Sequence, residues 1–312
     1  MVYVDRGIVS PWRPTPAKVR AFIATARWWR PLPRSGCAQP ITAMPILNLR
    51  FLKTRSWICL LGLTAGACAS GVNPGVNHEP LPPWNENGRI GHQQLVEKAK
   101  QGQIDVYFLG DSITRRWGAL DYPEFLAHWK QNFHGWNAGN FGWGGDSTHQ
   151  MLWRLQNGEF EGLSPKVIVL LGGTNNIGDK PLPGAADDTV EGIRALLDTL
   201  QAKAPQATIV LMAIFPRNDN PESNRIVAEV NARIAPFADG KRIRFLNIND
   251  RLADQDGTLF AGMTVDNLHL SVKGYEIWAN ALKPVLTELL GEPAAEDFAP
   301  PPTGDPSALN KK

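Results

Sequence analysis

The sequence predicts an α/β protein with three αβα layers around a doubly wound parallel sheet of about five strands. Along the middle of the chain, short unbroken runs of apolar and β-branched residues alternate with longer amphipathic stretches. Unbroken apolar runs are typical of strands that are covered on both faces. Regular alternation of strands with helices favours a parallel sheet. In such sheets, ligands bind beyond the carboxyl ends of the strands, where the strand order reverses.

The bounds of the elements follow from these runs and from the breaks between them. Pro205, Pro216 and Gly240 separate neighbouring elements. Five strands are predicted, at residues 104–109, about 136–141, 167–172, 208–214 and 243–248. Six helices are predicted around them, at about residues 90–101, 122–132, 147–156, 186–203, 222–238 and 272–289. Because the first 69 residues and the last 20 or so differ in composition from the middle of the chain, these elements are predicted to form one domain.

Three polar segments follow the first three predicted strands and carry candidate catalytic groups. Ser112 lies in Gly-Asp-Ser-Ile-Thr, Gly145 ends the run Gly-Trp-Gly-Gly, and Asn175 is the first residue of an Asn pair. A serine nucleophile needs a histidine to accept its proton and a carboxylate to orient that histidine. Asp266 and His269, three residues apart, supply both. An unshielded glycine N–H and an asparagine amide can stabilise an oxyanion. The pattern therefore indicates a serine hydrolase.

Each segment taken alone also has a structural interpretation. Asp111 or Ser112 could cap the helix that follows, and the glycines and the Asn pair could form turns. Asp266 and His269 could be a solvated pair on a loop. We favour catalysis because independent turns would not by chance supply a nucleophile, a base, an orienting carboxylate and two donors at neighbouring strand ends.

These segments, in this order, resemble those of the SGNH hydrolases, or GDSL-type esterases, over about residues 88–290. The run 140–159, with the later Gly-Thr-Asn-Asn and Asp-Asn-Leu-His-Leu-Ser, is especially similar to the catalytic subunits of platelet-activating factor acetylhydrolase and their bacterial relatives. The resemblance implies a flavodoxin-like fold and ester hydrolysis. It implies that Ser112 is the nucleophile, with His269 as general base and Asp266 as its orienting group. It also implies an oxyanion hole formed by the N–H groups of Ser112 and Gly145 and the side chain of Asn175.

Two tryptophans are placed to line a substrate pocket. Trp117 lies just past the nucleophile and Trp143 lies inside the glycine run, although packing in the core is the alternative for both. The remaining histidines lack the spacing of metal ligands, so neither a metal nor another cofactor is expected. No large insertion separates the motifs, so the pocket should be shallow and the acyl group short.

The N-terminal segment differs in composition from the rest of the chain. Residues 1–69 hold ten of the 32 basic residues, one of the 30 acidic residues and all three cysteines. From Met44, a basic stretch, a short apolar run and small residues before Cys68 are typical of a bacterial secretory signal. Residues 44–69 are therefore predicted to be a signal peptide, and residues 1–43 a non-native upstream extension. We favour lipidation of Cys68, which would anchor the protein to a membrane; ordinary cleavage with periplasmic secretion and a buried helix are the alternatives.

The flanking segments of the domain are rich in proline. Residues 70–87 are predicted to form a flexible tether, and residues 291–312 a disordered tail. Without residues 1–69, the chain has 22 basic and 29 acidic residues. Because phosphate binding needs a basic face, this net charge argues against a nucleic-acid partner.

We therefore expect an exported serine ester hydrolase that removes acetyl or other short acyl groups from carbohydrate esters. A lysophospholipase, or a lipid esterase resembling platelet-activating factor acetylhydrolase, is the enzymatic alternative. A non-catalytic glycan-binding module would predict the loss of a site residue, and a phosphate-binding flavodoxin-like protein would need no partner for Ser112. The expected partner is a small-molecule or glycan ester; the oligomeric state is not predicted.

Overall fold

The computed structural model describes residues 78–309. The predictions for residues 1–43, for residues 44–69 and for lipidation of Cys68 lie outside the described residues. Within residues 78–309, no helix is both long enough and apolar enough to cross a bilayer.

Five parallel strands form one sheet in the order β2-β1-β3-β4-β5. The strands are β1 (Val106–Gly110), β2 (Ala138–Gly142), β3 (Val167–Leu171), β4 (Thr208–Met212) and β5 (Ile243–Leu246). The predicted doubly wound sheet is confirmed, because β2 lies on one side of β1 while β3 to β5 extend on the other. The last residue of β1 is paired with the last residues of β2 and β3. The segments that follow these three strands therefore leave the sheet at one edge, where the strand order reverses.

Helices precede, connect and follow the strands. They are α1 (Glu86–Ala99), α2 (Ser112–Gly118), α3 (Pro123–Phe133), α4 (Thr148–Gln156), α5 (Thr174–Ile177), α6 (Ala185–Lys203), α7 (Pro221–Ile234), α8 (Asn249–Leu252), α9 (Val272–Leu290) and α10 (Pro306–Leu309). The predicted helix 222–238 ends at Ile234 and continues as a 3-10 turn over Ala235–Phe237. Four helices were missed, α2, α5, α8 and α10, because four to seven residues are too few for a periodic apolar pattern.

The helices cover both faces of the sheet and complete the three predicted layers. Alternate side chains of β1 point to opposite faces, as they must in a strand. Tyr107 and Leu109 pack with α1, α4, α6 and α7, whereas Val106 and Phe108 pack with α2, α3, α8 and α9. All five residues of β1, β2 and β3 are buried, which explains why β1 and β3 are continuous apolar runs rather than alternating ones.

The prediction of a disordered tail is wrong for residues 291–309. This segment runs back along the amino-terminal ends of the strands, where Ala294 N donates to Gly135 O and Phe298 O accepts from Gln103 N. Farther on, Thr303 O accepts from Leu120 N. Prolines lack an N–H donor but keep a carbonyl acceptor, so a proline-rich segment can be ordered when the residues between the prolines supply the donors.

The predicted tether is also corrected, for residues 78–87. His78 is buried, and Leu81 N donates to His149 O over 3.2 Å. The first helix begins at Glu86, four residues earlier than expected, because the side chain of Asn85 caps it by accepting from Gly88 N over 2.8 Å. The domain therefore extends beyond the predicted bounds 88–290 in both directions.

Candidate active site

A continuous chain of hydrogen bonds joins Ser112, His269 and Asp266. Ser112 Oγ lies 2.8 Å from His269 Nε2. On the other side of the ring, His269 Nδ1 lies 2.8 Å from Asp266 Oδ2 and 3.0 Å from Asp266 Oδ1. Because a carboxylate only accepts, Nδ1 must carry the proton and donate it. Nε2 of the neutral ring is then an acceptor for the serine hydroxyl, which is the tautomer that a general base requires.

Ser112 owes its position to the sharp change from β1 to α2. Asp111, the residue before it, is the helix cap: its Oδ1 accepts from Ile113 N over 2.8 Å. Burial raises the pKa of Asp111 to about 7, against the effect of the Ile113 N–H. The capping interpretation of Gly-Asp-Ser is therefore correct for Asp111, and it leaves the hydroxyl of Ser112 directed to His269.

Asp266 and His269 lie on a tight loop rather than on a helical turn. Asn267 between them has a φ of 66°, a left-handed conformation that asparagine tolerates better than most residues. This turn lets Asp266 Oδ1 accept from His269 N over 2.8 Å in addition to the contact with the imidazole. The backbone bond holds the carboxylate against the ring although the Asp266 side chain is 41% exposed.

Arg116 adds a cation to this group, one turn after Ser112 on α2. Its Nη1 donates to Asp266 Oδ2 over 3.0 Å. Partial burial disfavours the Asp266 carboxylate, but hydrogen bonds from His269 and Arg116 lower its pKa to about 2. Burial lowers the pKa of His269, and Arg116 lowers it further against the opposing effect of Asp266. Both effects favour an ionised Asp266 beside a neutral His269 near neutral pH.

The glycine segment after β2 lies beside Ser112. A Cβ added to Gly144 would lie 4.0 Å from Ser112 Cβ. Gly145 has a φ of 81°, and a Cβ there would meet nothing within 4 Å. Glycine is therefore favoured at this position by its backbone conformation and not by lack of space. Such a turn presents a backbone N–H without a shielding side chain.

Asn175 comes to the same segment from β3. It lies in α5, and its Nδ2 donates to Asp146 O, the carbonyl of the residue after Gly145, over 2.9 Å. An asparagine amide has two N–H groups, so one can hold the glycine segment while the other donates to a ligand. The structure thus brings together Ser112, Asp266, His269, Gly145 and Asn175, the five predicted site residues.

An ion pair anchors the glycine segment from the side of the core. Asp146 Oδ2 accepts from Arg154 Nε over 2.7 Å, and both side chains are buried. The same guanidinium donates to Phe141 O over 3.0 Å and pairs with Glu159, which is also buried. Because removal of one partner leaves an unpaired buried charge, such a network strongly constrains the loop that it holds.

The second asparagine of the pair belongs to the support of the site. Asn176 Nδ2 donates to Thr148 Oγ1 over 2.7 Å and to Asp188 Oδ2 over 2.8 Å, while its Oδ1 accepts from Thr148 N over 3.0 Å. All three bonds fix α5 against α4 and α6, so the backbone that carries Asn175 is held by its neighbour.

Within residues 78–309, one group of side chains has the composition of a metal site. Atoms of His78, His149 and Asp188 lie within 4.8 Å of one another. The two imidazoles stack with their centroids 3.6 Å apart and their planes at 21°, and His149 Nε2 and His78 Nδ1 lie 3.0 Å and 3.5 Å from the same oxygen, Asp188 Oδ1. His149 Nδ1 also donates to Glu79 O over 2.7 Å. We attribute this group to attaching the segment before α1 to α4 and α6; the expectation of a metal-free protein stays a prediction.

The structure does not support either of the predicted pocket tryptophans. Trp117 is 0% exposed and packs against Tyr275 and Trp278, with its Nε1 donating to His128 Nδ1 over 3.0 Å. Trp143 is 6% exposed and lies against Gly91 of α1. Both are core residues, because helical spacing turned Trp117 inward and α1 covers the ring of Trp143.

Sequence reasoning missed two residues at the site. Trp84 is 68% exposed, and its Nε1 donates to Gly145 O over 3.3 Å. Proline-rich surroundings suggested a tether, so nothing in the local pattern linked this residue to a loop 61 positions away. Arg116 was also missed, although its spacing of four residues from Ser112 in a helix could have indicated it.

Comparisons with known proteins identify the family that the sequence matches. A family model, described as the GDSL-like Lipase/Acylhydrolase family, matches residues 108–277. The chain is 33% identical over 240 residues to platelet-activating factor acetylhydrolase IB subunit alpha1 of Bos taurus, covering 75% of this chain and 98% of that protein. It is 32% identical over 213 residues to subunit alpha2 of Gallus gallus, covering 67% and 87%. A GDSL-like lipase from Bacteroides thetaiotaomicron shares the fold, with a TM-score of 0.54 and 21% identity over 64% of this chain and 98% of that chain.

Proposed function

We propose that this chain, which belongs to the GDSL-like lipase/acylhydrolase family and is a carboxylic ester hydrolase, is exported and removes acetyl or other short acyl groups from carbohydrate esters. The catalytic part of the proposal rests on one observation, the hydrogen-bonded chain from Ser112 Oγ through His269 to Asp266. A structural pair on a loop would not need its imidazole directed at a serine on a different segment.

In the proposed reaction, Ser112 Oγ attacks the ester carbonyl while His269 Nε2 takes the hydroxyl proton. Asp266 stabilises the imidazolium that forms and keeps the ring in place. His269 then gives its proton to the leaving alcohol, and the acyl group remains on Ser112. A water molecule, deprotonated by His269, hydrolyses this acyl-enzyme and restores the serine.

The negative charge that develops on the carbonyl oxygen needs donors that are already in place. We assign this role to Ser112 N, Gly145 N and Asn175 Nδ2. The bond from Asn175 to Asp146 O and the ion pair of Asp146 with Arg154 support this assignment. Donors held by such bonds do not reorganise during the reaction, which is the main source of their effect.

The preference for a short acyl group is supported by the relatives, which are named acetylhydrolases. The carbohydrate part rests on export, which we infer from the basic and apolar pattern between Met44 and Cys68. The second candidate is a lipid ester, favoured by the platelet-activating factor in the names of the same relatives. The protein would then act on a short acyl group in a lipid rather than in a glycan.

Rates on a substrate panel separate these candidates. The purified protein would be assayed with p-nitrophenyl acetate, acetylated xylan, an acetylated amino sugar and a lysophospholipid. Ser112→Ala would be the matched control. We expect turnover of p-nitrophenyl acetate to depend on Ser112 and the highest specificity constant to be found with a carbohydrate acetate. Equal rates for the wild type and Ser112→Ala would refute the catalytic assignment, and preference for the lysophospholipid would favour the second candidate.

A further inference from the structure

An exposed tryptophan stands at the edge of the candidate active site. Of the seven tryptophans between residues 78 and 309, Trp84 alone is exposed, at 68%. Tryptophan is usually buried for most of its surface, and its aromatic faces are well suited to contact a ligand. The exposed indole of Trp84 is therefore a candidate for contact with a ligand.

The contact of Trp84 with the glycine segment defines its position relative to the reaction. Its Nε1 donates to Gly145 O over 3.3 Å, and the N–H of the same residue, Gly145, is an assigned oxyanion donor. Because N and O of one residue lie closer together than the 3.8 Å between consecutive Cα atoms, the indole nitrogen is within about 7 Å of that donor. At this distance from the oxyanion donor, the indole can contact the alcohol portion of a bound ester rather than its carbonyl group.

The backbone around Trp84 limits the motion of the ring. Pro82 and Pro83 precede it, which restricts the approach of the chain. Asn85 follows it and caps α1 through its bond to Gly88 N. The side-chain bond to Gly145 O also restrains the indole ring. A ring held in this way loses little conformational entropy when a ligand packs on its face.

We propose that Trp84 is a substrate-binding residue that stacks against the sugar ring of the acylated carbohydrate. This inference rests on the proposed function and names the part of the enzyme that recognises the alcohol side of the ester. The C–H groups on one face of a pyranose pack on the electron-rich face of indole, while the hydroxyl groups at its edge stay in water.

The main alternative is insertion of Trp84 into a lipid surface. The bond to Gly145 O draws the polar edge of the indole toward the oxyanion segment, and Asn85 and Glu86 beside it are exposed polar residues. Outside residues 1–69, the chain carries more acidic than basic residues, which opposes approach to an anionic membrane. A sugar ring is therefore favoured over a lipid surface as the ligand of Trp84.

Two ester substrates test the proposal. The specificity constants of wild type, Trp84→Ala and Trp84→Phe would be measured with an acetylated xylo-oligosaccharide and with vinyl acetate, which has no ring. We expect Trp84→Ala to lower the constant about tenfold for the oligosaccharide, mainly through KM, and less than twofold for vinyl acetate. Trp84→Phe keeps an aromatic face without the N–H and should recover most of the loss. Phe298→Ala, an exposed aromatic at the opposite edge of the sheet, is the matched control.

Binding measured without catalysis separates this proposal from the proposed function. In the Ser112→Ala protein, titration calorimetry with the acetylated oligosaccharide should detect binding, and adding Trp84→Ala should weaken that binding about tenfold. Equal losses of rate on both substrates would overturn the proposal, because they would mean that Trp84 only anchors the glycine segment. Loss of binding to phosphatidylcholine vesicles with unchanged oligosaccharide affinity would overturn it in favour of a lipid surface. If the wild type hydrolyses neither ester, the proposed function fails, whereas the titration still tests Trp84.

Discussion

Removal of the Arg116 charge should shift the pH dependence of the reaction. Arg116 Nη1 lies 3.0 Å from Asp266 Oδ2, which lies 2.8 Å from His269 Nδ1, so the guanidinium is at most about 6 Å from the imidazole. Arg116 and Asp266 are partly exposed, so we use effective dielectric constants between about 40 and 80. The repulsion of a protonated His269 is then about 0.7–1.4 kcal/mol, which corresponds to about 0.5–1 unit in the pKa of His269.

The sign of the shift follows from the role of His269. A positive Arg116 disfavours the protonated ring, so Arg116→Gln should raise the pKa of His269. Since the neutral ring is the general base, the acidic limb of kcat/KM should move to higher pH by about 0.5–1 unit. Asp266 should remain ionised throughout, because its pKa lies at about 2 in the wild type.

The assay is the pH profile of kcat/KM for p-nitrophenyl acetate between about pH 4 and pH 9. Arg116→Lys keeps the charge and should retain the acidic limb of the wild type. A limb that stays in place in Arg116→Gln, or that moves to lower pH, would refute the electrostatic reasoning. A uniform drop in kcat/KM at every pH would indicate that Arg116 only positions Asp266.

Four further predictions concern the oxyanion hole, the core, the pocket and the N-terminus. Asn175→Ala should lower kcat about 10²–10³-fold, and unchanged single-turnover acylation would assign the oxyanion hole to backbone donors alone. Trp117→Ala should lower the free energy of unfolding by about 3–5 kcal/mol in urea titrations, whereas exposed Trp84→Ala should change it by less than about 0.5 kcal/mol; equal effects would contradict the burial assigned here. The specificity constant for p-nitrophenyl esters should be highest between acetyl and butyryl, because extra methylenes left in water gain none of the roughly 0.8 kcal/mol each of burial, and a maximum at decanoyl would oppose the short-acyl proposal. Expression from Met44 in a Gram-negative host should give protein that only detergent releases from membranes, and Cys68→Ala should either shift the product to the soluble periplasmic fraction or leave the uncleaved precursor in the inner membrane; soluble periplasmic wild type would indicate ordinary secretion instead.

The strands and the main helices could be predicted from local pattern because each depends on residues close in sequence. The apolar runs of β1, β3 and β4 specify strands buried on both faces, and alternation with amphipathic helices favours parallel order. The position of Ser112, Gly145 and Asn175 at one sheet edge follows from the same rule, since each comes directly after a strand. Their meeting could therefore be inferred before any distance was known.

The ordered structure of the tail and of the segment before α1 could not be predicted from local sequence. Their order depends on hydrogen bonds to residues distant in sequence, such as Ala294 N to Gly135 O and Trp84 Nε1 to Gly145 O. Proline content indicates how a segment behaves when isolated, and it does not reveal whether a folded domain offers partners for its backbone.

Local sequence is enough to predict the catalytic groups: a serine, a histidine and a carboxylate in an order and spacing typical of ester hydrolysis, on a parallel sheet. Which aromatic and charged side chains lie beside these groups depends on the packing of distant segments. Trp117 and Trp143 are close to site residues in sequence and yet lie in the core, whereas Trp84 is distant in sequence and lies at the site. The physical reason is that burial and ion pairing, as for Arg116 with Asp266 across 150 residues, are set by how helices pack on the sheet, which no local window of sequence contains.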